Sequence, residues 1–416
     1  MFTGSLLAVL AVLPLLAEAA SSSPSRIWPW TRTPQEKRQT KALGAVLAGQ
    51  QDLSTYYSLI KQYPDILLQL PNFAGVTLIA PSNEAFNNSH EWNPDNATLV
   101  TNLLQYHILT GTVNTAALVA GPSTLQRTLL TNKAYTNVSS GQNVVVAKQH
   151  DDLTVLTSGL GTRSTIIEPD IAFTGGFIQM VDTLLIPPVR LEITARDAYK
   201  ELTAFLGALY STGLAEEISN MPNITILAPR NTAFQSISSS LSALSESSLR
   251  DVLKYHIIPN NVIPSSGFLN GTTLSPLLGK ESKIFITQIG NNLYFNRAQM
   301  LQADILLANG VLHMIDNVLS QNASDTRPDE ESKTQPPVFA QTGLTSTGTR
   351  HPVPYTSFLP CTTEGCPVST STTESSLTAK TTVVSTRSSS ALAGRVTGLG
   401  MAVVGMGMGM GVMGVV

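Results

Sequence analysis

The sequence contains almost no cysteine. Only 2 of its 416 residues are cysteine, Cys361 and Cys366, and both lie in a region rich in Ser and Thr. A structural zinc site normally takes four protein ligands, so two cysteines exclude a zinc site built from cysteine alone. The folded part of the chain must therefore be held together by packing, and the two cysteines are candidates for one disulfide that closes a small loop.

Charge is also scarce, and neither sign dominates. Charged residues make up 13% of the chain, and 25 basic residues against 28 acidic ones give a formal net charge of -3. Such a chain has no long-range electrostatic field that would concentrate a polynucleotide. We therefore expect no nucleic-acid partner.

Sequence signatures of catalysis are missing as well. The chain lacks a Gly-x-Ser-x-Gly nucleophile elbow, a His-Glu-x-x-His metal motif and a phosphate-binding loop. Its histidines do not form a recognisable catalytic or metal-binding pattern. We expect a protein that is not an enzyme and that uses no cofactor or metal.

The N-terminal segment is typical of a secretory signal. An apolar run from Leu6 to Leu16 precedes Ala17-Glu18-Ala19, which has the small-x-small form that signal peptidase cleaves. The run is shorter than the roughly 20 apolar residues that a transmembrane helix needs. We predict that residues 1–19 are removed and that residues 20–40 form a linker, or a propeptide that a protease could trim at Lys37-Arg38.

Sequons for N-linked glycans occur along most of the chain. A sequon accepts a glycan only if the chain passes through the secretory pathway and the asparagine is exposed, and the signal segment makes the first condition expected. The predicted N-glycosylation sites are Asn87, Asn96, Asn137, Asn223, Asn270 and Asn322.

The composition changes sharply towards the C-terminus. Of the 50 residues from Gln341 to Ser390, 24 are Ser or Thr, and prolines are interspersed among them. This composition cannot bury enough apolar surface to fold. We expect residues 322–390 to form a disordered, extended, Ser/Thr/Pro-rich stalk that carries O-linked glycans.

The last residues have the order of a glycosylphosphatidylinositol (GPI) signal. Small candidate attachment residues, Ser388, Ser389 and Ser390, are followed by a short segment and an apolar end. Residues 391–416 would then be removed and a lipid anchor would hold the protein on the membrane. A spanning helix and a freely secreted protein are the alternatives, but Gly alternates with Met from Gly405 to Gly411, and each Gly costs about 1 kcal/mol of helix propensity relative to Ala.

The central part of the chain contains an internal repeat. Three sequence blocks occur twice in the same order, which predicts two domains of one kind, residues 41–190 and residues 191–321. The paired blocks are Thr77–Phe86 with Thr225–Phe234, Leu104–Leu109 with Leu253–Ile258, and Gly176–Leu185 with Gly310–Leu319.

Each repeat begins with a helical pattern and continues with short β-branched runs. Apolar residues at helical spacing form one stripe in each repeat, and runs such as Val76–Ile79, Val144–Val146 and Lys283–Thr287 predict strands. We therefore predict the α+β class with an antiparallel sheet at the core of each domain. The stripes consist of Leu53, Tyr56, Tyr57 and Ile60, and of Leu202, Phe205, Leu206, Leu209 and Tyr210.

The repeated blocks resemble the fasciclin domain family over about residues 40–320. The motifs that carry the resemblance are the Thr-x-x-Ala-Pro-x-x-x-Ala-Phe opening, the central Tyr-His and the closing block that ends in Asp182 or Asp316. The resemblance implies two tandem domains, each a β-sandwich wedge with packed helices. It also implies an extracellular adhesion or matrix protein.

The resemblance supplies candidate adhesion residues. In adhesive animal members of the family, the Tyr-His segment and nearby Asp-Ile pairs are implicated in receptor binding. The apolar neighbours favour the alternative that these residues are buried and structural, and Asp182 and Asp316 are expected to accept backbone hydrogen bonds within a turn. The matching candidates are Tyr106, His107, Asp170, Ile171, Tyr255, His256, Asp304 and Ile305.

Two functional hypotheses follow from the sequence. The first is an adhesion or wall- and matrix-organising glycoprotein on the outer face of the plasma membrane or in the cell wall. The stalk, the possible protease site and the tail resemble those of fungal cell-surface proteins. Its partners would be surface or matrix proteins and glycans, including other copies of itself. The second is a small-molecule or lipid carrier with an apolar pocket, for which the vacuole is the alternative location.

Overall fold

The computed structural model describes residues 41–72, 75–90, 92–332, 334–340 and 352–360. Several predicted features lie outside these residues and stay predictions. They are the signal segment 1–19, the linker 20–40, the cysteines Cys361 and Cys366, the serines Ser388, Ser389 and Ser390, and the C-terminal tail 391–416.

The first repeat forms an α+β domain in which helices precede and interrupt a sheet. Its helices are α1 (Leu43–Ala48), α2 (Ser54–Gln62), α3 (Asn83–Asn87) and α4 (Ala97–Tyr106). Its strands are β1 (Val76–Pro81), β2 (Ile108–Leu109), β3 (Ser123–Arg127), β4 (Asn143–Lys148), β5 (Thr154–Thr157), β6 (Arg163–Phe173) and β7 (Gly176–Val181). Short 3₁₀ turns include Gln51–Leu53, Pro64–Asn72, Thr115–Ala117 and Gly159–Gly161.

The second repeat has the same succession of elements, with additional short helices. Its helices are α5 (Leu191–Asp197), α6 (Thr203–Ser211), α7 (Ala215–Asn220), α8 (Asn231–Ser236), α9 (Ser238–Ser242) and α10 (Glu246–Tyr255). Its strands are β8 (Ile224–Pro229), β9 (Ile257–Ile258), β10 (Thr273–Leu274), β11 (Ile284–Ile289), β12 (Asn292–Phe295), β13 (Ala298–Leu307) and β14 (Gly310–Ile315). Its 3₁₀ turns include Lys200–Leu202 and Ser265–Gly267.

The two sheets have one topology. Each has seven strands, in the orders β2-β1-β7-β6-β5-β4-β3 and β9-β8-β14-β13-β12-β11-β10. The predicted antiparallel core needs a correction, because β1 pairs with β7, and β8 with β14, in parallel. Nearly a whole domain separates the first strand from the last, and this long crossover lets them lie side by side in the same direction.

A glycine makes this central parallel pair possible in each domain. A Cβ atom on Gly176 would lie 1.8 Å from the carbonyl oxygen of Val76, and one on Gly310 would lie 1.9 Å from that of Ile224. No side chain tolerates such contacts with backbone. The glycine that opens the third repeated block is therefore a packing requirement of the sheet.

The predicted helix stripes form much of the core. Tyr56 and Ile60 of α2 are buried, as are Phe205 and Leu209 of α6. The first strand of each domain is buried along its whole length, because its two faces pack against different apolar clusters. In β1, for example, Leu78 faces the helices and Ile79 faces the opposite cluster.

The described residues beyond the second domain, 322–332, 334–340 and 352–360, pack back onto it, whereas we predicted that a disordered stalk begins at residue 322. The side chain of Asn317 donates a hydrogen bond of 2.9 Å to the carbonyl of Gln335, which is buried. The packing is explained by apolar residues that contact the core of the second domain. The same segment contains a short 3₁₀ turn, Thr356–Phe358. These apolar residues are Phe339, Val353, Tyr355 and Leu359.

Within the described ranges, none of the helices has both the length and the apolar character that crossing a membrane requires.

Candidate functional site

The two Tyr-His pairs lie in the interior of their domains. Tyr106 and Tyr255 are completely buried at the C-terminal ends of α4 and α10. The Tyr106 hydroxyl donates a hydrogen bond of 2.9 Å to the carbonyl of Asn143 on β4. The Tyr255 hydroxyl donates to the carbonyl of Lys283, just before β11. Each tyrosine therefore ties a helix end to the sheet.

Each histidine connects the same helix to the end of the domain. In His107, Nδ1 donates to the carbonyl of Leu103 at 2.8 Å and Nε2 accepts from the backbone N–H of Leu185 at 3.0 Å. In His256, the corresponding partners are the carbonyl of Val252 at 2.8 Å and the N–H of Leu319 at 2.9 Å. Both ring nitrogens are used, which requires the neutral imidazole with a proton on Nδ1.

Burial keeps these imidazoles neutral. Desolvation lowers the pKa of His107, and likewise that of His256, from 6.5 to about 4, although the backbone hydrogen bond of each ring opposes the shift. Neither Tyr-His pair presents a group to a partner in this fold. The burial supports the structural interpretation, and a receptor-binding role stays a prediction that would require the segment to become exposed.

The Asp-Ile pairs form bulges in β6 and β13. Asp170 and Asp304 both have a φ of 57°, in the left-handed region that aspartate tolerates better than most residues. The Asp170 carboxylate accepts hydrogen bonds from the backbone N–H and the hydroxyl of Thr115, at 3.0 and 2.6 Å. It therefore caps the 3₁₀ turn Thr115–Ala117. Ile171 is half-buried against the core.

Asp304 makes the same contacts in the second domain and one more. Its carboxylate accepts from the N–H of Ser265 at 2.7 Å and from the hydroxyl of the same serine. It also accepts from the hydroxyl of Ser123, a residue of the first domain, at 2.6 Å. Asp304 and Ile305 are buried. The second Asp-Ile pair is thus part of the contact between the two domains.

The closing aspartates bond to the neighbouring strand, where we expected a turn. Asp182 accepts a hydrogen bond of 2.8 Å from the N–H of Thr165 on β6, and Asp316 accepts one of 2.7 Å from the N–H of Gln299 on β13. Burial raises the pKa of Asp316 to about 6, and the backbone bond from Gln299 opposes this rise. These carboxylates fix the register where the last strand ends.

Sequence reasoning missed a further pair of structural residues, Asn83 and Asn231. The side-chain oxygen of Asn83 accepts from the N–H of Thr55 at 2.9 Å, and that of Asn231 accepts from the N–H of Ala204 at 2.8 Å. Each asparagine thereby holds the first turn of the domain's long opening helix. The repeat contained the signal, because both occupy the same place in the Thr-x-x-Ala-Pro block.

A surface for N-linked glycans is available at four of the six sequons. Asn87, Asn96, Asn270 and Asn322 are exposed. Asn137 and Asn223 are half-buried where the two domains meet. We call this contact region the domain junction: Ser123 and residues 136–142 of the first domain against residues 220–223 and 304–308 of the second.

An apolar cleft of about 680 Å³ lies beside the first domain's helices. One wall is formed by α3, α4 and Trp92, and the other by the segment that connects the two domains. Most of its lining is apolar, and Asp182, Arg190 and His90 are the acidic and basic side chains in it. Its main apolar lining residues are Ala85, Trp92, Leu99, Leu103, Leu184, Leu185, Ile186, Pro187, Pro188, Val189, Ile193 and Ala308.

Among the described residues, no group of three or more His, Cys, Asp or Glu side chains is placed to hold a metal ion. The fold and its buried motif residues define a class: a tandem pair of α+β wedge domains in which repeated Tyr, His and Asp side chains support the structure. The fasciclin domain matches residues 51–187 and 200–321 of the chain, which together are more than half of it. The chain belongs to the fasciclin domain family.

The relatives include fungal and animal proteins. The chain is similar to the "Fasciclin-like arabinogalactan protein" of Arthroderma benhamiae, with 29% identity over 71% of this chain and 70% of that protein. It is 27% identical to the "Fasciclin-like arabinogalactan protein elcF" of Phaeosphaeria nodorum, over 67% of this chain and 88% of that protein. It is 26% identical to the "Transforming growth factor-beta-induced protein ig-h3" of Sus scrofa, over 74% of this chain and 42% of that protein.

A solved structure of a FAS1 domain pair from the insect cell adhesion molecule Fasciclin I also matches. The match covers 66% of this chain and 98% of that one, at 18% identity and a TM-score of 0.33.

Proposed function

We propose that this protein is a non-catalytic glycoprotein of the fungal cell surface or wall, which adheres through the outer surfaces of its fasciclin domain pair. The observation that carries the proposal is that both copies of the family's domain use their motif residues internally, so that only exposed side chains and glycans remain for partners. The fungal relatives named as fasciclin-like arabinogalactan proteins support the wall location.

Four exposed apolar residues are candidates for the adhesive contact. Ile167 and Leu301 lie three residues before the aspartate of each Asp-Ile pair, with 52% and 42% of their surface exposed. Val119 and Leu269 follow the capped 3₁₀ turns, with 74% and 64% exposed. A single exposed apolar residue is ordinary, but recurrence at equivalent positions in both domains indicates a repeated contact surface.

The proposed partners are surface or matrix proteins and glycans, including other copies of this chain. A lipid anchor attached at one of the candidate serines would hold the protein on the membrane. Phospholipase treatment of intact cells should release it, and a variant without residues 391–416 should be found in the medium without treatment. Retention of the full chain in the membrane after treatment would contradict a phospholipase-sensitive anchor.

The adhesion test compares cells that carry the full chain with cells that carry a variant lacking residues 41–321. Loss of attachment to neighbouring cells or matrix is expected, with equal surface levels of the two proteins. Substitution of Ile167, Leu301, Val119 and Leu269 by Ser should weaken attachment without destabilising the domains, because all four side chains are exposed. Normal attachment by cells without the domain pair would overturn the proposal.

The cleft favours a second candidate function, the carriage of a small apolar molecule or lipid. Its volume lies within the range of ligand pockets, and its lining is mostly apolar. Trp92 lines the cleft, and in a chain that begins after Arg38 it is the single tryptophan, so the fluorescence of such a chain would report on an occupant. Mass spectrometry of the purified protein should then detect a ligand that is lost on substituting Leu103 by Glu. A purified protein that yields no ligand and shows no fluorescence change with fatty acids would exclude this function.

A further inference from the structure

Two sequons meet at the domain junction. The first is Asn137-Val138-Ser139 and the second is Asn223-Ile224-Thr225. The side-chain oxygen of Asn223 accepts a hydrogen bond of 2.8 Å from the backbone N–H of Ser139. The side-chain nitrogen of Asn223 donates a bond of 2.8 Å to the hydroxyl of Ser139. The acceptor asparagine of one sequon is thus paired with the hydroxyl residue of the other.

This pairing uses the position that a sugar would take. Both amide atoms of Asn223 face Ser139, so the hydrogen that Nδ2 donates is the one on the same side as Oδ1. The amide of a glycosylated asparagine is planar, and the sugar carbon on Nδ2 is trans to Cβ. The sugar carbon therefore lies on the same side as Oδ1, where the donated hydrogen of Asn223 lies. A glycan on Asn223 would therefore stand where Ser139 lies.

The residues around Ser139 make several further hydrogen bonds across the domain junction. The backbone N–H of Asn137 donates to the carbonyl of Ala308 at 2.7 Å, and its side chain donates to the carbonyl of Asn220 at 2.6 Å. The buried side chain of Gln142 donates to the carbonyl of Leu307 at 3.2 Å. Displacing Ser139 by a sugar ring would pull residues 136–142 away from all of these partners.

The exposed sequons lack this conflict. Asn96 accepts a hydrogen bond from the N–H of Leu99 at 3.1 Å, and Asn270 accepts one from the N–H of Gln288 at 2.9 Å. Both use only the carbonyl oxygen, which a glycosylated amide keeps. Asn87 and Asn322 are exposed. Glycans at these four positions are compatible with the folded domain pair.

We propose that a glycan on Asn223 and the closed domain junction exclude one another. The folded pair then carries an unmodified Asn223, whose side chain fastens residues 136–142 to the second domain. Oligosaccharides are transferred to a chain before its folding is complete, so the modification state of Asn223 decides whether the junction can close. The inference rests on the proposed secretory route.

The test combines glycan mapping with hydrogen exchange on the full chain secreted from a fungal host. Glycopeptide mapping should find glycans at the four exposed sequons and an unmodified Asn223. Backbone amides of residues 136–141 should be protected from exchange, because those of Asn137 and Ser139 bond across the junction. Glycosylated Asn223 in molecules whose residues 136–141 are protected would overturn the proposal.

A matched pair of variants tests the fastening without any glycan. Asn223→Gly should raise exchange at residues 136–141 by about tenfold or more, because it removes both bonds to Ser139. Glycine is used because Asn223 has a φ of 53°, which alanine would adopt only with strain. Asn87→Ala, at an exposed sequon, should leave exchange there unchanged. Unchanged exchange in Asn223→Gly would also overturn the proposal. If all six sequons lacked glycans, the secretory route would be contradicted, and the two variants would still decide whether Asn223 holds the junction.

Discussion

In each fasciclin domain an aromatic ring packs against the same buried phenylalanine, but that ring comes from a different part of the chain. Phe86 and Phe234 are equivalent and buried, and each has an aromatic ring against its own ring. For Phe86 the partner is Trp92 of the same domain, with ring centroids 4.9 Å apart. For Phe234 the partner is Tyr355, with ring centroids 6.3 Å apart. Tyr355 belongs to the chain beyond residue 321, which we call the C-terminal extension. The repeated phenylalanine belongs to the core that both domains share, whereas its aromatic partner differs because each domain packs against a different segment of the chain.

A second difference lies under the Asp-Ile bulge. In the first domain, Gln179 accepts from the N–H of Asp170 at 2.8 Å and donates to the carbonyl of Val113 at 2.9 Å. In the second domain His313 does both, with the N–H of Asp304 at 3.2 Å and the carbonyl of Ile263 at 2.9 Å. The geometry is shared, but the group under the bulge is an uncharged amide in the first domain and an imidazole in the second.

Loss of the buried imidazole of His107 or His256 should lower the free energy of unfolding more than any other change proposed below, and by an equal amount in both domains. His107→Leu leaves the buried N–H of Leu185 without a partner, and His256→Leu does the same to the N–H of Leu319. Each also removes a bond to a helix carbonyl, and we expect a cost of about 3 kcal/mol in the free energy of unfolding. Urea denaturation measures it. If His107→Leu kept its stability while cell attachment was lost, the receptor-binding interpretation of the Tyr-His pair would gain over the structural one.

Substitution of the aspartate in each Asp-Ile pair should affect the two domains differently. Asp170→Ala and Asp304→Ala each remove the cap of a 3₁₀ turn and place alanine at a φ of 57°, where it is strained. We expect about 2 kcal/mol of destabilisation from either. Only Asp304→Ala also removes the carboxylate that accepts from Ser123, which keeps the hydroxyl of Ser265 at 3.2 Å, so only it should increase hydrogen exchange across the domain junction. Ser123→Ala is the control, since it removes the junction contact and leaves the cap. Equal exchange at the junction in both aspartate variants would show that Ser123 contributes nothing to docking.

Much of this architecture could be predicted from the repeat. The stripe through Phe205 and Leu209, the strand at Val144–Val146 and the buried character of the Tyr-His pairs all follow from local sequence patterns. The parallel pairing of β1 with β7 could not, because strand direction depends on the path of the whole domain. The domain junction was equally inaccessible, since Asn223 and Ser139 meet only after both domains have folded.

The C-terminal extension shows a different limit of sequence reasoning. Its average composition predicts a stalk, and the average hides a few apolar residues such as Tyr355 and Leu359 that find a surface on the second domain. That surface includes Gly207, and a Cβ atom there would lie 2.2 Å from the carbonyl oxygen of Tyr355. A helix that receives another segment this closely needs glycine at the contact.

Gly207→Ala should therefore release the extension without unfolding the domain. Alanine favours the helix by about 1 kcal/mol, but it clashes with the backbone of Tyr355, so residues 352–360 should become sensitive to protease. Ser58→Ala is the matched control, because Ser58 is also the fifth residue of its helix and is exposed. An extension that stayed protected in Gly207→Ala would show that the contact tolerates a methyl group.

The smallest effect at neutral pH, and the most informative about the difference between the domains, is expected for His313→Gln. Burial lowers the pKa of His313 below its ordinary value of 6.5, although Asp304 opposes the shift. Below pH 6.5 the unfolded chain therefore binds a proton that the folded domain does not, so stability falls as the pH drops. Asp316, whose pKa is raised to about 6, works in the opposite direction as the pH falls through 6, and it is unchanged in the variant.

Glutamine at position 313 can make both hydrogen bonds, as Gln179 does in the first domain. We expect the variant to match the parent within about 0.5 kcal/mol at pH 7.5 and to be the more stable of the two at pH 4.5, as measured by urea denaturation. The reciprocal change, Gln179→His, should make the first domain more sensitive to acid. If the two variants had parallel pH profiles, the titrating group that distinguishes the domains would have to be sought elsewhere than under the Asp-Ile bulge.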